Sequence, residues 1–223
     1  MVDENELSEG DESELSEGIS RGGAAAVSTT RKDARLDDAP VVLITRRLTL
    51  RAPAERDSPA LVRLANNPRI ARNLGKMPHP YTVENAEYWI NRASKAGPKL
   101  RTFAITGRYD DGFLGGCGYR PVEGNPDHVT LGYWLGEPYW GQGIAAEAAQ
   151  AVIDLAFEIE DISCIEVSVR ASNHQSKRVV EKCGFQFTRH GMARLAAVPG
   201  MVSVDYYMMA RRTWESLHAW GMR

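Results

Sequence analysis

Leu131-Gly132-Tyr133-Trp134-Leu135-Gly136-Glu137-Pro138-Tyr139-Trp140-Gly141-Gln142-Gly143-Ile144-Ala145-Ala146-Glu147 is where the hydrophobic period of this chain changes. Up to Leu135 the segment from Val129 alternates as a strand does. From Ile144 the apolar positions Ile144, Ala148, Val152, Leu155 and Ile159 recur at helical spacing, a single stripe over about four turns. Cys164, Ile165, Val167 and Val169 then form a strand rich in β-branched residues. Strand, long helix, strand is a β-α-β unit, with parallel strands and a right-handed crossover. Ligands of open sheets bind beyond the carboxyl ends of such strands, so the junction at 136–147 is the candidate site.

The chemistry of that junction points to an anion. Gly141 and Gly143 let the backbone approach a ligand closely, and the start of a helix offers unpaired N–H groups aimed outward. Each dipole interaction contributes about 0.3–1 kcal/mol, and each charged hydrogen bond about 1.5–3 kcal/mol. A pyrophosphate engages more of these amides than one carboxylate does. The segment lacks the Lys-Ser/Thr of a Walker loop and the third glycine of a dinucleotide fold. Gly-x-Gly before a helix is also what a flexible entry turn alone would show.

Outward from the junction, the chain reads as more strands. Thr102–Gly107, Phe113–Arg120 and Val129–Leu135 are joined by polar turns at Asp110-Asp111-Gly112 and Gly124-Asn125-Pro126-Asp127, an antiparallel meander. Val41–Ile44 runs into Arg47–Arg51 as a first strand. Asp57 is expected to cap a short helix through Leu61, Leu64 and Ala65. Thr82 is expected to cap another through Trp89, Ile90 and Ala93, stopped by Gly97-Pro98. A helix over Gln175–Cys183 ends at Gly184. Strands near Phe187–Met192 and Val204–Met209 complete the sheet. The expected fold is α/β: a mixed, mostly antiparallel sheet of six to seven strands with helices on both faces.

The chain has 223 residues with a formal net charge of −2, and 43% of its residues are hydrophobic, proportions that exclude collagen-like and wholly disordered classes. That average hides an asymmetry. Residues 1–40 hold 11 acidic and 4 basic side chains, the remainder 18 and 23. Residues 1–38, with few large apolar side chains, are expected to be an acidic disordered tail. One folded domain of residues 41–212 follows, then a short C-terminal tail, 213–223. Cys117, Cys164 and Cys183 are odd in number and far apart, which argues against disulfides and zinc and fits buried thiols in a reducing cytoplasm. The acidic N-terminus does not read as a signal peptide, and no apolar run is long enough to span a membrane. Arg46-Arg47 and Arg211-Arg212 form no aromatic-interleaved basic patch, so direct nucleic-acid binding is not expected.

Leu131–Leu135, the glycine loop, Asn173-x-x-Ser176 and Glu181-Lys182-Cys183-Gly184-Phe185 together resemble the GNAT acetyltransferases, and more narrowly their RimJ/RimL-like branch. The family's Arg/Gln-x-x-Gly-x-Gly/Ala loop corresponds to Trp140-Gly141-Gln142-Gly143-Ile144-Ala145, with Trp140 in place of Arg or Gln. The resemblance covers about Thr45 to Arg212. It implies a GNAT fold whose splayed parallel strand pair holds acetyl-CoA as cosubstrate, with no metal. The pyrophosphate would lie on Gly141, Gln142, Gly143, Ile144, Ala145 and Ala146, with the pantetheine arm between the two strands beside Trp134 and Leu135. A backbone N–H near Leu135 would polarise the thioester carbonyl, Asn173 would contact the pantetheine amide, and Ser176 would stand near the departing thiolate.

The resemblance also implies direct attack by a primary amine, without a covalent enzyme intermediate. Many GNAT enzymes carry a tyrosine four residues after the position of Ser176, where this chain has Val180. Ser176 is then the nearest hydroxyl by spacing, although a serine there can equally bond the helix backbone. Glu137 is the first candidate base and His128 a remoter one, while Glu147 serves the helix dipole or a local hydrogen bond. Tyr133, Trp134, Tyr139 and Trp140 either line an acceptor channel or pack the core. The acceptor is expected to be a protein or peptide N-terminal α-amine. A small-molecule amine such as an aminoglycoside or polyamine, and a non-catalytic acetyl-CoA-binding module, are the alternatives. The Met77–Tyr81 loop is expected to help set acceptor choice, and the protein to act as a monomer or homodimer.

Overall fold

The computed structural model describes residues 41–93, 97 and 99–221. The expected acidic tail of residues 1–38 lies outside the described residues, as does Pro98 of the expected helix stop. The strands are β1 (Leu43–Ile44), β2 (Leu48–Arg51), β3 (Arg101–Gly107), β4 (Phe113–Val122), β5 (Asn125–Leu135), β6 (Cys164–Arg170), β7 (Gln186–Arg194) and β8 (Met201–Ala210). They form one sheet in the order β1-β2-β3-β4-β5-β6-β8-β7.

The sheet has eight strands where six to seven were expected, because the first expected strand is two. Thr45 donates its amide to the Leu48 carbonyl (2.9 Å), and its hydroxyl accepts the Leu48 amide (3.0 Å). Those bonds close a tight turn at Arg46-Arg47 and fold β1 back on β2. The β4–β5 turn is also tighter than expected, with Val122 already opposite Asn125 and Gly124 in the left-handed region.

Every adjacent pair is antiparallel except β5 and β6, which run parallel. Their pairing is short: His128, Val129 and Thr130 lie opposite Cys164, Ile165 and Glu166, and no pairing continues beyond. From Leu131 onward the two strands part, and the gap between them positions the site.

Helices cover both faces. α1 (Ser58–Ala65), α2 (Pro68–Ala71) and α3 (Val83–Ala93) follow β2. Leu61, Leu64, Ala86 and Ile90 pack with Ala104 and Phe113 in a smaller core. The other face carries α4 (Ile144–Ile159), α5 (His174–Lys182) and α6 (Arg211–Ala219). Its larger core joins Val152, Ile153, Phe157, Val180 and Phe185 to Phe103, Ile105, Leu131, Ile165, Val167 and Tyr207. Burying one such side chain contributes about 1.5–3 kcal/mol, which is why β3 alternates Phe103 and Ile105 toward one core and Ala104 toward the other. Of the predicted α4 stripe only Ile159 is exposed, at the end of the helix.

Two local expectations change. Asp57 precedes α1 but its side chain does not cap it. Its carboxylate instead accepts the Ala54 amide (2.9 Å) and both Arg51 Nη groups (2.9 and 2.8 Å). Residues expected as a tail from 213 onward include most of α6 (Arg211–Ala219), whose Trp214 stacks on Phe157 (ring centroids 5.3 Å) and donates to Asp154 (2.7 Å). Thr82 does cap α3: its hydroxyl accepts the Asn85 amide (3.4 Å), and Asn85 Oδ1 accepts the Thr82 amide (3.0 Å). The three cysteines are buried and form no disulfide. Among the described residues, no helix is long and apolar enough to cross a membrane.

Candidate active site

The site is built on the open edge of β5. Gly136 donates its amide to the Leu114 carbonyl of β4 (2.9 Å). Alternation along an antiparallel strand then turns the Tyr133 and Leu135 amides to the opposite edge, into the gap left by β6. The Leu135 carbonyl on that edge accepts Trp140 Nε1–H (2.9 Å). The indole therefore fixes the loop to the strand end and occupies the Leu135 carbonyl, so the Tyr133 and Leu135 amides and the Tyr133 carbonyl are the polar groups that this end of β5 turns to the gap.

Beyond Leu135 a single 3-10 turn, Glu137–Tyr139, delivers the chain to Gly141 and Gly143, both in the left-handed region (φ +74° and +75°). Gly143 is the N-cap of α4 and supplies no side-chain cap. The first helical bond is Glu147 N–H to the Gly143 carbonyl (3.1 Å). The amides of residues 143–146 thus have no partner within the helix. The Gln142 side chain folds back to donate to the Pro138 carbonyl (2.9 Å), bracing the loop.

Arg47 stands over this loop. Its Nη1 donates to the Gln142 carbonyl (2.9 Å) and its Nε to Glu147 Oε2 (2.7 Å). Glu147 Oε1 also accepts the Arg47 amide (2.9 Å) and the Thr45 hydroxyl (2.7 Å). Burial works to raise the Glu147 carboxyl, but these hydrogen bonds prevail and hold it below its ordinary range. Arg46, Arg47 and Lys182 border a cleft of about 690 Å³ that also takes in Gln142, Gly143 and Cys183. Glu147, paired with Arg47, and Glu181 line it too, so three cations face two carboxylates beside the α4 amides, an arrangement that can accept phosphate groups. A second hollow, of about 370 Å³ between Gly75 and the β7–β8 connection, has Arg194 as its one ionisable lining residue.

At the other end, α5 begins beside the gap. Asn173 is its N-cap, with Oδ1 accepting the Ser176 amide (3.2 Å). Ser176 Oγ lies 2.8 Å from the Tyr133 hydroxyl, so a residue of β5 and one beyond β6 meet across the parted strands. Burial pushes the Tyr133 phenol well above its usual range. Val180 is buried in the larger core.

Of the expected residues, Leu135, the 141–146 loop, Asn173 and Ser176 border the gap and its mouth. Trp134 does not. Its side chain lies in the smaller core against Phe113 (6.0 Å), and its amide faces β4. Glu137 is committed elsewhere: its carboxylate accepts Asn67 Nδ2 (2.7 Å) and pairs with Arg69. His128 pairs with Glu166 (2.6 Å). It sits seven residues before Leu135, about 23 Å along the strand. Sequence reasoning missed the roles of Arg47 and of Tyr133 toward Ser176. The strand alternation of Leu131, Tyr133 and Leu135 carried a signal for the second; nothing near Arg47 signalled the first. Among the described residues, no group of three or more His, Cys, Asp or Glu could hold a metal ion.

Known proteins share the family and the fold of this chain. The sequence profile described as acetyltransferase (GNAT) domain matches residues 47–186. The uncharacterized N-acetyltransferase p20 of Bacillus licheniformis is 28% identical over 170 residues, covering 75% of this chain and 94% of p20. The ribosomal-protein α-N-acetyltransferase RimL, solved with coenzyme A, superposes with a TM-score of 0.63 at 22% identity, over 75% of this chain and 96% of its own. Spermidine N-acetyltransferase from Vibrio cholerae, solved with coenzyme A and spermine, gives 0.64 at 19% identity, over 75% and 98%.

Proposed function

Because the chain belongs to the acetyltransferase (GNAT) domain family, we propose that it transfers an acetyl group from acetyl-CoA to the N-terminal α-amine of a protein or peptide. The observation that carries the donor is the pairing of a strand gap with a cationic, amide-rich loop at its mouth. Acetyl-CoA supplies a thioester carbonyl and a polyanionic handle, and the residues present fit both. Arg47, Arg46, Lys182 and the amides of 143–146 hold phosphate groups, with Gly143 leaving room for their approach. The amides of Tyr133 and Leu135 hydrogen-bond an extended chain laid in the gap. The Leu135 amide, at the end of the strand, donates to the carbonyl oxygen as negative charge develops there.

The acceptor follows from how the two candidate bases are placed. Glu137 is tied to Asn67 and Arg69, and His128 is remote and paired with Glu166, so neither is set to take a proton at the gap. Freeing an α-amine of its proton at pH 7 costs about 1 kcal/mol, against nearly 5 kcal/mol for a lysine side chain. A site that leaves deprotonation to water therefore favours the α-amine. RimL and the spermidine enzyme superpose almost equally well, so the fold by itself does not select between acceptor classes.

The test is thiol release from acetyl-CoA with N-terminal peptides, Nα-blocked lysine peptides and polyamines. Preference for free α-amines is expected. Comparable turnover of blocked lysine peptides, or turnover of polyamines alone, overturns the acceptor assignment. Acetyl-CoA binding without release across all three classes overturns the activity.

A further inference from the structure

We infer that Tyr133 is the residue that aims the Ser176 hydroxyl at the sulfur of the departing thiolate. The inference rests on the acetyl-transfer reading and concerns one bond within it. Tyr133 belongs to β5 and Ser176 to the first turn of α5, and the strands that carry them toward one another have already parted. The two hydroxyls nevertheless approach to 2.8 Å, and the Tyr133 hydroxyl is also 3.3 Å from the Ser176 carbonyl. Tyr133 lies on the same face of β5 as Val129, Leu131 and Leu135, packed against the larger core. A phenol buried there keeps its hydrogen, and so acts as a lasting donor and not as a base.

One phenol hydrogen has two possible acceptors. If it goes to the Ser176 carbonyl, the serine hydrogen turns back to the phenol oxygen and is unavailable. If it goes to Oγ, the serine hydrogen is released to its other side, toward the gap. The shorter contact is the one to Oγ. The carbonyl, being in the first turn of a helix, has the amide four residues on as its regular partner. The balance of distances and partners favours the arrangement in which Tyr133 donates to Ser176 and Ser176 donates to a ligand.

That arrangement suits the chemistry of the step. The amine nitrogen forms its bond to the carbonyl carbon, and the C–S bond breaks with its electron pair on sulfur. A proton leaves the nitrogen and one must arrive at sulfur. A serine hydroxyl is a far weaker acid than a thiol, so it cannot finish the reaction as an alkoxide. It can pass its hydrogen to sulfur while taking the proton released by nitrogen, ending as it began. A hydrogen bond from Tyr133 into Oγ stabilises the serine oxygen as its own hydrogen departs and keeps that hydrogen directed outward. Tyr133 is thus a positioning residue acting through Ser176, and neither side chain changes in the net reaction.

The experiment is a double-mutant cycle in the full-length protein, read by thiol release after turnover of the wild type has been established. Y133F is expected to lower kcat on the order of tenfold, the loss of one hydrogen bond to a reacting group. Its KM for acetyl-CoA should stay within about twofold, since the interaction serves the transition state. S176A should lower kcat at least as much, and Y133F/S176A should be no slower than S176A. Independent losses that multiply in the double variant, or an unaffected kcat in Y133F, overturn the inference. Should Y133F fail to fold by urea titration, 3-fluorotyrosine at position 133 replaces it. A more acidic phenol should then change kcat when Ser176 is present and not in S176A, and equal effects in both backgrounds overturn the inference. A wild type that binds acetyl-CoA but releases no thiol defeats the underlying reading instead, so the two failures are distinguishable.

Discussion

Arg47 and Glu147 are 100 residues apart in sequence, yet the Arg47 guanidinium and amide both donate to the Glu147 carboxylate, at 2.7 and 2.9 Å. The bond joins the β1–β2 turn to the first turn of α4. It also holds a cation over amides that have no helical partner. Two effects follow from one contact: the turn is anchored, and a guanidinium is held against the loop of the proposed phosphate site.

Replacing Arg47 by alanine is therefore expected to raise the Kd for acetyl-CoA about tenfold or more, the contribution of one charged hydrogen bond. Calorimetry at two salt concentrations checks it. The wild-type affinity should fall more steeply with salt than that of Arg47→Ala. Equal affinities at low salt would place Arg47 outside the binding surface.

The same contact sets a pH dependence. The Glu147 carboxyl is held below its ordinary range when folded, so the unfolded chain binds its proton first as pH falls. Its stabilisation is present above the unfolded value of about 4.3. It is lost as pH drops from there through the lower folded value. Urea unfolding between pH 6 and about 3 should show a steeper loss for the wild type than for Glu147→Gln. Parallel curves would show that the Thr45 and Arg47 bonds do not favour the charged form.

Gly143 combines a left-handed backbone (φ +75°) with a position against which only Arg47 Nη2 approaches, 3.6 Å from where a Cβ would stand. Gly143→Val should strain the α4 entry by about 1–3 kcal/mol and put a branched side chain among the free amides. Acetyl-CoA affinity is expected to fall by more than tenfold, with the far-ultraviolet spectrum unchanged. Unaltered affinity would mean that the loop does not cradle the phosphates.

What sequence could reveal here is what acts over a few residues. Alternation in Val129–Leu135, the glycines at 141 and 143, and Gly184 after α5 each impose a local conformation, and the architecture follows from them. Partners brought in from afar leave no local trace. Glu137 reads as a base because its strand end is the right place, but Asn67 and Arg69 reach it from the start of α2, some 70 residues earlier. The split of β1 from β2 turns on the Thr45 hydroxyl accepting an amide, and a threonine in a strand pattern gives no warning of that. α6 was missed because its short, polar sequence is held by Trp214 against Phe157 and not by its own propensity.

Glu137 then has a different predicted phenotype from that of a general base. Its carboxylate braces the start of α2 against the end of β5. Glu137→Gln preserves an acceptor for Asn67 and should keep kcat within about twofold at pH 7 to 9, where a lost base would lower it by about 100-fold or more. Glu137→Ala should instead lower stability by about 1 kcal/mol, read by the urea midpoint. A collapse of kcat in Glu137→Gln would restore it as the base.

The Arg51–Asp57–Asp111 network makes the last test, because it separates an N-cap from an ion pair. Asp57 is 3% exposed and takes both Nη groups of Arg51, whose Nε and Nη2 also donate to Asp111 (2.8 and 3.0 Å). A capping aspartate replaced by asparagine or serine loses little, since either still accepts an amide. An aspartate that neutralises a mostly buried guanidinium loses much more, about 3 kcal/mol for Asp57→Ala. Asp57→Ser should then resemble Asp57→Ala, not the wild type. Asp111, held near 2 chiefly by its hydrogen bond from Arg51, adds a further marker. Its share of stability persists above its unfolded value of about 3.9 and fades as pH falls toward 2. In Asp57→Ala, Arg51 has Asp111 as its remaining carboxylate, so the acid sensitivity of that variant should grow. A serine variant as stable as the wild type would return Asp57 to the capping role.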